Sequence, residues 1–165
     1  MKVLIATDAW APQINGVVTT LKHVKSYLEA NGCEVRVVQP GDFKTVALPG
    51  YSEISLAWNL WKFAELIESF GPDCVHIATE GPIGLIARGY LTKRGLPYTT
   101  SLHTKFPEYI NERIGMPLSW GYQFLRWFHK TAESTLVTTQ SMRDELTQRG
   151  LENLVVWTRG VDTEL

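Results

Sequence analysis

Val3-Leu4-Ile5-Ala6, followed by Thr7-Asp8-Ala9-Trp10-Ala11-Pro12-Gln13-Ile14-Asn15-Gly16, decides the fold class. Four successive apolar residues with a β-branched component suit a strand covered on both faces, because a half-exposed strand would alternate with polar residues. Beyond the polar loop, Val17, Leu21, Val24 and Leu28 recur at helical spacing, and Gly32 stands where such a helix stops. Strand, polar loop and amphipathic helix therefore follow one another.

The same cycle recurs along the chain. Val35 to Val38 read as a second strand. Leu60, Phe63, Ala64 and Ile67 mark a helical face that Gly71-Pro72 ends, and Cys74 to Ala78 make a further strand. A helix over Ile83 to Arg94 closes at Gly95, a strand spans Tyr98 to Leu102, and two helical segments fall within Pro107 to Glu133. Thr135 to Thr139 form a strand, Ser141-Met142-Arg143-Asp144 has capping-box spacing before a helix ending at Gly150, and Leu154 to Trp157 supply the last strand. Strands alternating with helices over short links call for parallel strands and right-handed crossovers, hence an α/β, three-layer Rossmann-like domain with a mostly parallel sheet. The stretch Phe43 to Tyr51 is the least regular, and Leu48-Pro49-Gly50-Tyr51 reads as a turn in a loop overhanging the site.

Composition narrows the chemistry. The 165 residues are 44% hydrophobic and 20% charged, enough for one substantial core. Sixteen Lys and Arg against 17 Asp and Glu leave a formal net charge of -1, so no basic field recruits nucleic acid, and any phosphate site is local. Cys33 and Cys74 lack the paired short spacing of metal or redox motifs and read as reduced, buried and structural. The first apolar run is too short for a signal peptide, and no stretch reaches transmembrane length. A cytoplasmic location is expected, with any membrane contact peripheral and at the inner surface.

Ligands of open α/β sheets bind beyond the carboxyl ends of the strands. Four polar segments should converge there: Thr7 to Gly16, Thr79-Glu80-Gly81-Pro82-Ile83-Gly84, Ser101-Leu102-His103-Thr104, and Arg159-Gly160-Val161-Asp162. The first ends at a helix N-terminus, where backbone N–H groups and the helix dipole favour a phosphate. Gly16 taken alone is equally explained by close packing at a helix start. The loop has neither the G-x-G-x-x-G of dinucleotide binding nor the Lys-Ser/Thr ending of a P-loop. Among the histidines, His23 reads as exposed, His76 as a satisfied strand residue and His129 as part of an aromatic cluster. His103 alone follows a strand at the ligand edge, and is the candidate catalytic residue. No metal-ligand spacing and no nucleophile elbow are present.

Pro12-Gln13-Ile14-Asn15-Gly16-Val17, Leu48-Pro49-Gly50-Tyr51, Glu80-Gly81-Pro82-Ile83-Gly84, His103-Thr104 with Phe106-Pro107-Glu108-Tyr109, and Gly160-Val161-Asp162 together resemble the retaining glycosyltransferases of family 4, with the sulfoquinovosyl- and mannosyl-diacylglycerol transferase branch most similar. The resemblance implies the N-terminal, acceptor-side half of a GT-B fold, with a C-terminal donor-binding domain beyond Leu165. It implies a donor diphosphate and sugar site drawn from Asn15, Gly16, Glu80, Gly81, Arg159, Gly160 and Asp162, with His103 near the transferred sugar. No metal or cofactor is expected. The donor, a UDP- or GDP-hexose, is a substrate, and the acceptor is a lipid or a sugar.

Two other readings stay open on the residues alone. A non-catalytic nucleotide- or flavin-binding module of flavodoxin-like architecture shares the sheet and the strand-end site, and a partner-binding scaffold would use the six tryptophans. Leu118, Trp120, Tyr122, Phe124, Leu125, Trp127 and Phe128 are apolar around most of a helix, which points to burial on several sides. With Trp58 and Trp61 the same residues would alternatively make a greasy wall for a lipid.

Overall fold

The computed structural model describes residues 1–48, 51–103, 107–108, 111–112 and 115–158, with the backbone alone described at 47–48 and 51–56. Two compact units divide the chain, Met1–Thr100 and Ser101–Leu165.

The first unit runs β1 (Lys2–Ala6), α1 (Gly16–Ala30), β2 (Glu34–Val38), a 3-10 turn at Pro40–Asp42, β3 (Thr45–Leu48), β4 (Tyr51–Ala57), α2 (Lys62–Phe70), β5 (Cys74–Ile77) and α3 (Pro82–Arg94). It ends in the first half of β6 (Thr99–Leu102). The strand order is β2-β1-β5-β6, with every pair parallel. Val3 and Ile5 of β1 are buried with Val37, Ala78 and Leu21 of α1. Strand alternation turns Leu4 and Ala6 to the opposite face. They too are buried, beside Val75 and Ile77 in register. There α3 approaches so closely that a Cβ on Gly84 would stand 3.3 Å from Ile77 Cγ2. Helices thus cover both faces of β1, and each fully buried aliphatic side chain contributes about 1.5–3 kcal/mol. Gly71 and Gly95 end α2 and α3 at φ 59° and 64°, a left-handed turn that glycine alone enters without cost.

The stretch expected to be irregular is instead a hairpin. Thr45–Leu48 pairs antiparallel with Tyr51–Ala57, Val46 opposite Leu56, with a register shift between Ala47 and Leu48. Its connecting residues, Pro49 and Gly50, lie outside the described residues. The signal was present as a Pro-Gly turn followed by the alternation Ile54-Ser55-Leu56, a two-residue period hidden by the shortness of the first arm.

In the second unit the end of β6 is followed by helical residues at 107–108 and 111–112, α4 (Leu118–His129), β7 (Ser134–Val137), α5 (Gln140–Gln148) and β8 (Leu154–Val156). The order is β6-β7-β8, with β7 and β8 parallel. Leu102, Tyr122, Leu125, Val137, Leu146 and Leu151 form its core. α5 is capped by Thr139, whose Oγ1 accepts the Met142 N–H at 3.1 Å, and not by Ser141. Thr139 is still extended, so the chain enters the helix two residues earlier than the capping-box spacing suggests. α4 is not buried all round either. Tyr122, Leu125 and Phe128 are buried, whereas Trp120 and Trp127 are 63% and 47% exposed. The cysteines are free, but Cys33 is half-buried and Cys74 exposed, because Cys74 opens β5 at the rim of the sheet. These corrections leave the fold class unchanged: α/β, Rossmann-like, built on six strands in a mostly parallel arrangement.

Candidate functional site

Within the first unit, the loops that leave β1 and β5 at their carboxyl ends are joined by one side chain, Asp8. Its Oδ1 accepts the Ile83 N–H at 2.8 Å, and its Oδ2 accepts the Thr79 hydroxyl at 2.8 Å and the Gly84 N–H at 3.3 Å. The same hydroxyl accepts the Asp8 backbone N–H at 2.7 Å. A helix N-terminus leaves its first N–H groups without intrahelical partners. A carboxylate from the neighbouring strand satisfies two of them at α3. Burial raises the Asp8 pKa above the usual carboxylate value, the hydrogen bonds from Ile83, Thr79 and Gly84 oppose the rise, and the nearby Glu80 carboxylate adds to it.

Gly81 owes its identity to this arrangement. A Cβ there would lie 2.5 Å from Asp8 Cγ and 2.6 Å from Oδ2. Gly84 is tighter still, its would-be Cβ 1.9 Å from the Thr79 carbonyl oxygen. Glu80 sits half-buried between the two constraints.

α1 begins at the same edge. Asn15, extended at φ -154°, caps it with Oδ1 accepting the N–H groups of Val17 and Val18, both at 3.0 Å. The cap is tied back to Asp8: Asn15 Nδ2 donates to Gln13 Oε1 at 3.3 Å, and Gln13 Nε2 donates to the Asp8 carbonyl at 3.4 Å. Gly16 is the first residue of α1. Asn15, Gly16, Glu80 and Gly81, singled out as donor-binding residues, therefore lie on two loops that Asp8 connects. Sequence reasoning placed Asp8 and Thr79 in the polar segments at the ligand edge but gave neither a role.

In the second unit His103 follows β6, half-buried, with Nε2 2.8 Å from Ser101 Oγ and its ring edge-on to Trp157 at 6.5 Å. Glu108 accepts a short hydrogen bond from the buried Tyr122 hydroxyl, and Pro107 lies where a Cβ on Gly121 would come within 2.7 Å. The Arg149 guanidinium stacks over the Tyr122 ring at 4.0 Å. Burial, together with the bond to Glu108, raises the Tyr122 phenol well above its ordinary value. The remaining histidines fit the structural roles read from the sequence: His23 is exposed, His76 Nδ1 meets Thr99 Oγ1 at 2.8 Å, and the His129 ring packs on Phe128 at 5.0 Å. Thr104, Phe106, Tyr109, Arg159, Gly160, Val161 and Asp162 lie outside the described residues. Among the described residues no three of His, Cys, Asp and Glu converge as metal ligands, and no helix is long and apolar enough to cross a membrane.

A parallel α/β unit with polar loops gathered beyond its strand ends defines a domain of Rossmann type. Residues 14–165 match Glycosyltransferase Family 4, and the chain belongs to that family. It is 24% identical to a GDP-mannose-dependent alpha-mannosyltransferase of Corynebacterium glutamicum, covering 99% of this chain and 44% of that protein. A protein of the same description from Mycobacterium tuberculosis is 23% identical over 99% of the chain and 48% of its own length. An alpha-monoglucosyldiacylglycerol synthase of Acholeplasma laidlawii is 28% identical over 66% of the chain and 31% of its own length. The chain thus spans less than half the length of these relatives.

Proposed function

We propose that this chain is the N-terminal, acceptor-side half of a glycosyltransferase that moves a hexose from a nucleotide-sugar donor to a lipid or sugar acceptor. A second, donor-binding domain completes the enzyme, a division that the partial coverage of the relatives supports. The carrying observation is the contrast between two helix starts at one edge. At α3 the N–H groups are taken by a carboxyl group, Asp8, whereas at α1 they are taken by the amide oxygen of Asn15, which brings no negative charge. An incoming diphosphate therefore meets the uncompensated positive end of α1 at Gly16. In the same unit Glu80 and Gly81 belong to the proposed donor site; His103, Arg159, Gly160 and Asp162 are the donor-contacting residues proposed for the second unit.

Adding charge without losing the cap tests this reading. Asp caps helices as well as Asn does. Asn15→Asp in the full-length enzyme should leave the melting temperature unchanged or slightly higher. The donor KM should rise about tenfold, the equivalent of about 1.4 kcal/mol of repulsion. Initial rates with GDP- and UDP-hexoses and diacylglycerol or sugar acceptors measure it. An unchanged donor KM removes α1 from the donor site, and no transfer by the unmodified enzyme with any such pair overturns the proposed reaction.

The exposed face of α4, with Trp120 and Trp127, supports an acceptor presented at a membrane surface. The protein would touch that surface peripherally.

A further inference from the structure

We propose that Asp8 is a positioning residue for transfer, a staple that fixes the β1–α1 and β5–α3 loops relative to one another; its effect on turnover rests on the reading above. Four hydrogen bonds cross between the loops through Asp8 and Thr79. A fifth and sixth, through Gln13, carry the constraint to the Asn15 cap. Gly81 makes the room in which the carboxyl group sits, since even a methyl group there would overlap it. The staple therefore sets where the start of α1 and Glu80 stand without touching a ligand. Displacing reacting groups by about 1 Å costs on the order of a hundredfold in rate, whereas a helix cap with a purely local role alters stability and little else.

Thr79 isolates the effect. Thr79→Val removes both hydroxyl bonds at nearly constant volume, Thr79→Ser keeps them, and Asp8→Asn places an amide N–H₂ or a lone acceptor where three donors converge. A control outside both loops, Ile67→Ala, alters the buried side of α2. In the full-length enzyme, Thr79→Val and Asp8→Asn should lower kcat at least tenfold, Thr79→Ser should recover most of it, and Ile67→Ala should retain the kcat of the parent. Hydrogen–deuterium exchange of residues 8–16 and 79–84 should accelerate at least tenfold in the first two variants and in neither of the others. That second measurement holds whether or not sugar is transferred. Unchanged exchange in Thr79→Val and Asp8→Asn overturns the staple, as does a kcat equal to that of Ile67→Ala. Absent transfer by the unmodified enzyme, with exchange behaving as stated, refutes the proposed reaction and leaves the staple standing.

Discussion

Gly84→Ala should be among the more damaging single-methyl changes available to this chain. The added Cβ would lie 1.9 Å from the Thr79 carbonyl oxygen, 3.0 Å from its carbon and 3.3 Å from Ile77 Cγ2. Two of these neighbours are backbone, so the start of α3 must retreat by roughly 1.5 Å to regain ordinary contact distances. Retreat on that scale breaks the bonds from Ile83 and Gly84 to Asp8. Overpacking costs about 1–3 kcal/mol and each lost hydrogen bond to a charged acceptor about 1.5–3 kcal/mol, against which the better helix propensity of alanine returns about 1 kcal/mol. The expected net loss is about 3–8 kcal/mol, equivalent to roughly 6–32 °C in melting temperature for a domain of this size. Gly89, five residues further along the same helix, has no atom within 4 Å of the would-be Cβ. Gly89→Ala should stabilise by up to about 1 kcal/mol. Thermal and urea unfolding followed by circular dichroism compare the pair. A Gly84→Ala stability within about 1 kcal/mol of the parent would refute the close-approach argument.

His103→Ala in the full-length enzyme should lower kcat at least about a hundredfold while the circular dichroism spectrum is preserved; turnover at the parental rate would take His103 out of the reaction. Trp120→Ser combined with Trp127→Ser should weaken sedimentation with lipid vesicles at least fivefold, with stability changed by no more than about 0.5 kcal/mol per exposed site. Undiminished vesicle binding would assign the exposed face of α4 another role.

The parts of the fold that were legible in the sequence are those in which one period dominates. β1 is buried on both faces, so its apolar run is unbroken, and α1 presents Leu21 and Val18 to the core and Lys22 and His23 to solvent. Glycine marked the ends of α2 and α3 because those turns require positive φ. The hairpin β3–β4 escaped notice because its pairing is local and its first arm short. α4 misled for another reason. Periodicity reports where apolar residues stand, not whether anything covers them, and both faces of α4 carry aromatic residues. The Asp8–Thr79 contact joins positions 71 residues apart, and no local pattern encodes a bond of that span.

Three glycines at the ligand edge, Gly16, Gly81 and Gly84, look alike in the sequence, each next to a helix start after a polar loop. The structure separates them. Gly84 is required by the Thr79 carbonyl and Gly81 by the Asp8 carboxyl group, so both are accounted for by internal fit, and neither needs a ligand to explain it. The case for a phosphate at this edge then depends on charge. α3 cannot serve as an anion site while Asp8 takes its N–H groups, since an incoming anion would meet a filled donor set. α1 carries a neutral cap, so its dipole remains to be compensated. On the proposed function, filling one helix start with its own acid would direct a donor's negative charge to the other. Gly16 acquires a functional reading from that difference, not from being a glycine.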